Sequence, residues 1–358
     1  MTEYEYTEQQ QLYADKMNQS RRAYGRLGLA VVALFAVYLL TSYGLMFATA
    51  YLLPDIYDQW WFNWVLNIVP LYLFALPAFW LCLRSVDKGT HDPHYVSRGF
   101  IYEKPKFHVG HFALFAVVCF GLMYIGSLIG NGLMSVLSTW TGYDYQNNLS
   151  DLADNSPWWM LLLGTVIIAP IGEEFIFRKL FIDRARRYGD GMAIIMSALL
   201  FALFHGNFFQ FFYAFMVGLV MAYAYTLTGK LYWSVGLHMF MNFMGMMIMP
   251  NMLKWLGLEE LETLDPENME AVTQFIMDNM AGYCVYMLVT LVLYGAMAAA
   301  VALIIYFACA RKIHIGQGDV SLRSGDKVIA TFCNVGIPLC IFLLCLFMVM
   351  GLIPPPAS

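Results

Sequence analysis

Residues 170–181 read PIGEEFIFRKLF. Two adjacent carboxylates, Glu173 and Glu174, stand in a run otherwise apolar enough to cross a bilayer, and Arg178 follows one helical turn later. An ionised carboxylate at the bilayer centre costs roughly 2.5–3.5 kcal/mol on insertion scales, so such residues usually face an interior and have a function. What this stretch means depends first on whether the surrounding chain is a membrane protein.

Composition decides that question. Of the 358 residues, 60% are hydrophobic and 13% are charged, against about 25% charged in soluble globular domains. The chain is a polytopic membrane protein embedded in a lipid bilayer. Its net charge of −5 argues against nucleic-acid binding. The seven cysteines all lie in or beside apolar segments without metal-ligand spacing, so they read as core or lipid-facing residues. The first apolar run, from about Leu27 to Leu53, is too long for a signal-peptide core and is expected to stay as an anchor.

A spanning helix needs about 20 mostly apolar residues. By that measure candidate spans fall near 27–53, 61–83, 110–138, 157–180, 191–205, 208–228, 231–250, 280–310 and 328–352, the fifth of them short. The expected fold is all-α, a polytopic transmembrane helical bundle of about eight or nine spans. Residues 1–26 form a polar N-terminal segment, frayed or amphipathic, and residues 27–358 one transmembrane domain. Lys and Arg mark one set of loops: Lys16 to Arg26, Arg84 to Lys106, Lys179 to Arg187 and Arg311 to Lys327. The alternate loops carry Asp55, Asp58, Asp144, Asp151, Asp154 and the acidic stretch from Glu259 to Asp278. Cytoplasmic loops are enriched in Lys and Arg, so the N-terminus is expected in the cytoplasm.

The apolar segments contain few groups capable of acid–base chemistry. The fourth span has Glu173 and Glu174, the fifth has His205, and the seventh has His238 and Asn242. A single buried histidine is most often a satisfied structural residue. Polar groups in lipid must nevertheless face one another or a wet cavity, so their grouping on three neighbouring helices suggests a site. Residues four apart share a helix face, which pairs Glu174 with Arg178 and His238 with Asn242. Glu173 is turned about 100° from Glu174 and can point into the bundle without its own cation. Asn242 can orient the His238 imidazole or help bind an oxyanion. Glu173 and His205 are equally far from the Arg-rich turn at Gly189, whereas His238 lies nearer its own turn at Thr228–Lys230. Their heights agree only if that second turn is set deeper.

A carboxylate in a low-dielectric cavity can work as a base near neutral pH. It can take a proton from water and direct the water at a carbonyl. One histidine can position that water or protonate the leaving amine, while the other and Asn242 hold the oxyanion. Ser197 and Ser234 lack the glycine-flanked elbow of a serine hydrolase. These residues read as an intramembrane hydrolase that activates water with Glu173.

The same residues resemble the motifs of the CPBP family: CAAX prenyl endopeptidases and the bacteriocin-processing or immunity proteins also called ABI. The family's first motif, two glutamates, three residues and an arginine, matches Glu173, Glu174 and Arg178. Its second, phenylalanine, three residues and histidine, matches Phe201 and His205. Its third, histidine, three residues and asparagine, matches His238 and Asn242. Trp233 stands where a proline is frequent before the last motif helix. The resemblance covers about 155–250 and implies a glutamate-dependent intramembrane endopeptidase. In that family the first glutamate is the base, and the histidines and asparagine surround the reacting carbonyl. Glu174 and Arg178 are expected to support them.

The resemblance also implies a metal-free mechanism with no cofactor. Glutamate and two histidines can bind zinc, but no H-E-x-x-H is present. A second histidine group (His91, Asp92, His94, His108 and His111) reads as solvated or interfacial. The implied location is a cell membrane, and the implied partner is a membrane-associated peptide or protein substrate. The competing reading is a non-catalytic immunity or scaffold protein that binds a bacteriocin or sensor kinase. A scaffold would not require Glu173, His205, His238 and Asn242 together. A proton-relaying transporter ranks third, since no inverted repeat is visible.

Overall fold

A computed structural model describes residues 3–89, 94–97, 100–103, 106–147, 152, 156–265 and 268–353. The chain is an all-α bundle. Its helices are α1 (Glu3–Leu52), α2 (Phe62–Leu83), α3 (Val109–Thr141), α4 (Trp158–Tyr188), α5 (Asp190–Phe204) and α6 (Phe208–Thr228). They continue with α7 (Leu231–Phe243, extended by wider turns over Met244–Ile248), α8 (Met269–Asp278), α9 (Met280–Cys309), α10 (Ser324–Phe332) and α11 (Gly336–Met350). A two-stranded antiparallel hairpin, His94–Ser97 with Phe100–Glu103, lies between α2 and α3.

All nine expected segments are helical. Six of them (α1, α2, α3, α4, α6 and α9) are long and apolar enough to span a bilayer, and α10 with α11, bent by 62°, makes a seventh. The other two, α5 with 15 residues and α7 with 13 before its wide turns, are shorter than a full span. The polar N-terminal segment continues unbroken into α1 and docks against α10. There the Tyr13 hydroxyl donates to Asp326 and accepts from the Arg323 N–H at 3.1 Å.

Local sequence sets the helix ends. Asn207 caps α6 by accepting from the Gln210 N–H at 2.9 Å, and Gly229 closes it at φ 66°. Without a hydrophobic drive between helices in lipid, close backbone approach carries the packing. A Cβ on Gly126 of α3 would lie 2.4 Å from Tyr213 Cα of α6. A Cβ on Gly28 of α1 would lie 2.2 Å from the Gly336 backbone of α11.

The Arg-rich end is closed by polar contacts. Gly89 N donates to Asp183 O at 2.6 Å, Arg184 Nε to Leu83 O at 3.0 Å and Val320 N to Arg187 O at 2.9 Å. The Tyr225 hydroxyl donates to Asp183 at 2.6 Å, and Arg186 pairs with Asp190 at 3.2 Å. The offset between the Arg-rich turn and the Thr228–Lys230 turn is bridged by Arg186, whose Nη2 reaches Thr226 O at 3.4 Å.

Candidate active site

The glutamates sit at an irregular point of α4. Pro170 supplies no N–H, and the backbone widens to π-helical turns over Leu162–Ile168 and again over Phe175–Ile182. Such local widening is frequent at functional sites. Between the two lies one regular α-helical stretch, Ala169–Glu174. The two carboxylates therefore diverge, as α-helical spacing requires. Gly172 precedes them because the Tyr72 ring of α2 occupies the space: a Cβ there would lie 2.0 Å from Tyr72 Cε1. Gly164 likewise admits Trp64, whose Cζ3 would lie 2.0 Å from an added Cβ.

Glu174 points inward and is fully buried, as is Arg178. Arg178 Nε lies 3.1 Å from Glu174 Oε2. The contact is ionic rather than well aligned, for neither atom completes a hydrogen bond among the described residues. Arg178 Nη1 donates to Ser197 Oγ at 2.8 Å, and Ser197 in turn donates to Phe177 O at 2.9 Å. The guanidinium carbon lies 5.0 Å from the centre of the Phe201 ring, within cation–π range. A buried charge is tolerable only when paired and hydrogen-bonded; Glu174 pairs the charge and Ser197 satisfies Nη1, while Nε and Nη2 complete no hydrogen bond among the described residues.

His238 joins the two glutamates. Its Nδ1 lies 3.1 Å from Glu174 Oε1, while its Nε2 lies 3.7 Å from Glu173 Oε2. A carboxylate accepts only, so Nδ1 carries the proton and Nε2 is directed toward Glu173. Glu173 differs from its neighbour. Its side chain is 21% exposed, and Oε2 has no hydrogen-bond partner among the described residues.

Glu173, His205, His238 and Asn242 all line one cavity of about 520 Å³. Glu174 and Arg178 stand behind it and do not line it. His205 ends α5; its Nδ1 lies 2.8 Å from Phe201 O, which fixes that proton and leaves Nε2 as a lone pair. Gly206 follows at φ 69°, where the Phe347 ring lies 2.6 Å from an added Cβ.

Asn242 does not orient His238, although the two are four residues apart. Its Nδ2 donates across to the Thr165 carbonyl of α4 at 2.8 Å. Wide turns over Leu162–Ile168 displace that carbonyl from regular helical bonding and expose it to Asn242. One amide N–H and the amide oxygen of Asn242 remain for the cavity.

Spacing within one helix could not reveal Ser197, the Thr165 carbonyl, Tyr72 or Tyr213, because each acts across helices. Tyr72 and Tyr213 line the cavity with Glu173. The only available signal was the pair of small residues, Gly172 and Gly126, that admit them. In the second histidine group, the His108 and His111 ring centres lie 4.0 Å apart with the rings tilted by 58°. His91 and Asp92 lie outside the described residues. Among the described residues no three His, Cys, Asp or Glu side chains are grouped to hold a metal ion.

Comparison with known proteins adds one finding. Residues 155–244 match the family model described as Type II CAAX prenyl endopeptidase Rce1-like. The match contains all seven motif residues and supports the resemblance to the CPBP family, a protease family. It spans a quarter of the chain, and no curated protein and no solved structure matches.

Proposed function

We propose that this chain, a member of the CPBP family through residues 155–244, is an intramembrane endopeptidase in which Glu173 activates water for hydrolysis of a peptide bond. The observation that carries the reading is the division between the two glutamates. Glu174 spends its charge on Arg178 and His238, whereas Glu173 offers an unpaired carboxylate oxygen to a cavity shared with His205, His238 and Asn242.

The 3.7 Å between Glu173 Oε2 and His238 Nε2 is too long for a direct hydrogen bond and suits a water touching both. In the proposed step Glu173 takes one proton from that water, and the oxygen attacks the substrate carbonyl carbon. His238 Nε2, an acceptor because Nδ1 carries the proton, takes a hydrogen bond from the second water hydrogen and aims the oxygen lone pair, with His205 lining the same cavity. The carbonyl π pair moves to oxygen. The resulting oxyanion is stabilised by the free Asn242 N–H. The C–N bond then breaks, and the proton held on Glu173 passes to the leaving amine. Preorganised donors of this kind are each worth about 2.7–4 kcal/mol in acyl-transfer enzymes.

The Lys/Arg bias supports a cell-membrane location with the N-terminus and the Arg-rich end of the bundle on the cytoplasmic side. The substrate is a membrane-associated peptide or protein. The test compares peptide termini in membranes from cells carrying the wild-type chain or Glu173→Ala. New N-termini present with wild type and absent with the variant are expected. Identical termini in both would remove the peptidase reading.

A further inference from the structure

The cavity draws on one half of the bundle. Its lining comes from the late part of α1, the early part of α2, the middle of α3, the first half of α4, the end of α5, the first two-thirds of α6 and the late part of α7. Except in α3, this is the part nearer the end where Lys and Arg are scarce. Lys254 alone among the twenty Lys and Arg residues lies in a loop there. The opposite end is closed by the contacts of Asp183, Arg184, Arg186 and Arg187. Access to Glu173 is therefore from the Lys/Arg-poor side.

The chemistry of the walls is equally one-sided. No Lys or Arg lines the cavity, and Glu173 is its only carboxylate among the described residues. The remaining polarity comes from neutral groups, among them the tyrosines Tyr38, Tyr72 and Tyr213 and the amides Asn131, Gln210 and Asn242. Gln210 is only 9% exposed, yet its side chain makes no hydrogen bond among the described residues. Asn131 is exposed toward the same space and is likewise unpaired there. Each amide offers both donors and an acceptor, the same complement that an extended peptide backbone presents. A free C-terminal carboxylate would instead meet Glu173 with no cation in the walls, and like charges at close range disfavour one another.

We propose that the cavity opens to the extracytoplasmic side and takes an internal, uncharged, extended peptide segment, held along its backbone by Gln210 and Asn131, rather than the free C-terminus of a cytoplasmic protein. C-terminal CAAX sequences, which the matched family description names, are thereby not the substrate class of this chain. The inference rests on the peptidase reading for its chemistry, whereas the direction of opening stands independently.

Two measurements test it. The first introduces Asn131→Cys into a chain whose exposed Cys82, Cys284, Cys309 and Cys333 are serine, and adds a membrane-impermeant maleimide to intact cells. Lys312→Cys at the Arg-rich end is the control. Labelling of Asn131→Cys before permeabilisation, and of Lys312→Cys only after it, is expected; the reverse pattern overturns the proposal. The second uses the wild-type chain in right-side-out and inverted vesicles with two quenched fluorogenic pools of mixed uncharged peptides. One pool is extended and amidated at its C-terminus, and the other ends in a free carboxylate. Cleavage of the amidated pool at least tenfold faster, and only in right-side-out vesicles, is expected. Preference for the free carboxylate, or cleavage only in inverted vesicles, overturns the proposal. Absence of cleavage from both sides counts against the peptidase reading, and the maleimide pattern then decides the opening by itself.

Discussion

His238 stands between the two glutamates, with Nδ1 3.1 Å from Glu174 Oε1 and Nε2 3.7 Å from Glu173 Oε2. One imidazole thus ties a buried structural carboxylate to a cavity-facing one. Only Glu174 lies within ion-pair distance of Arg178, and only Glu173 lines the cavity.

Glu174→Gln leaves Arg178 buried without its counter-ion. Breaking a buried pair by removing one partner costs about 3–5 kcal/mol. The variant should melt well below wild type in detergent and cleave slowly but measurably, since the Gln carbonyl can still accept from His238 Nδ1. A variant as stable as wild type would contradict the pairing.

Ser197→Ala should cost about 1–3 kcal/mol, because it strips a buried acceptor from Arg178 and a buried donor from the Phe177 carbonyl. Ser197 does not line the cavity, so the folded fraction should cleave at the wild-type rate. Denaturation midpoints and rates measured on the same preparation check both halves. A rate that falls with stability unchanged would assign Ser197 to the chemistry.

Gly172→Ala drives a methyl into the Tyr72 ring at 2.0 Å. Overpacking of this kind costs about 1–3 kcal/mol. Adding Tyr72→Ala should relieve the clash, so the double variant should be more stable than the sum of the two single losses predicts. Strict additivity in the melting data would mean that the two residues do not touch.

Dialysis against a chelator should leave cleavage unchanged, as the sequence carries no H-E-x-x-H. Loss of activity restored by added zinc would replace the glutamate-activated water with a metal-bound one.

The fold was largely legible because hydropathy in a membrane is a strong signal. All nine segments are helical, although α5 and α7 are shorter than full spans. The Glu174–Arg178 pair was legible because both residues lie on one helix. The cross-helix partners were not. His238 bonds to Glu174 across two helices, which spacing within one helix cannot show, and Asn242 turns from His238 to the Thr165 carbonyl, which lies in the wide turns of α4.

The central claim is that the Glu173 carboxylate is the base. Glu173→Gln preserves size and hydrogen bonding while removing that function, and it leaves the Glu174–Arg178 pair intact. The decisive measurement is the cleavage rate and melting temperature of Glu173→Gln beside wild type, on one substrate and in one detergent. The account predicts a rate lowered by at least about 10²-fold, the lower end of what a positioned general base contributes, with the melting temperature nearly unchanged. A folded Glu173→Gln protein that cleaves at the wild-type rate would contradict it.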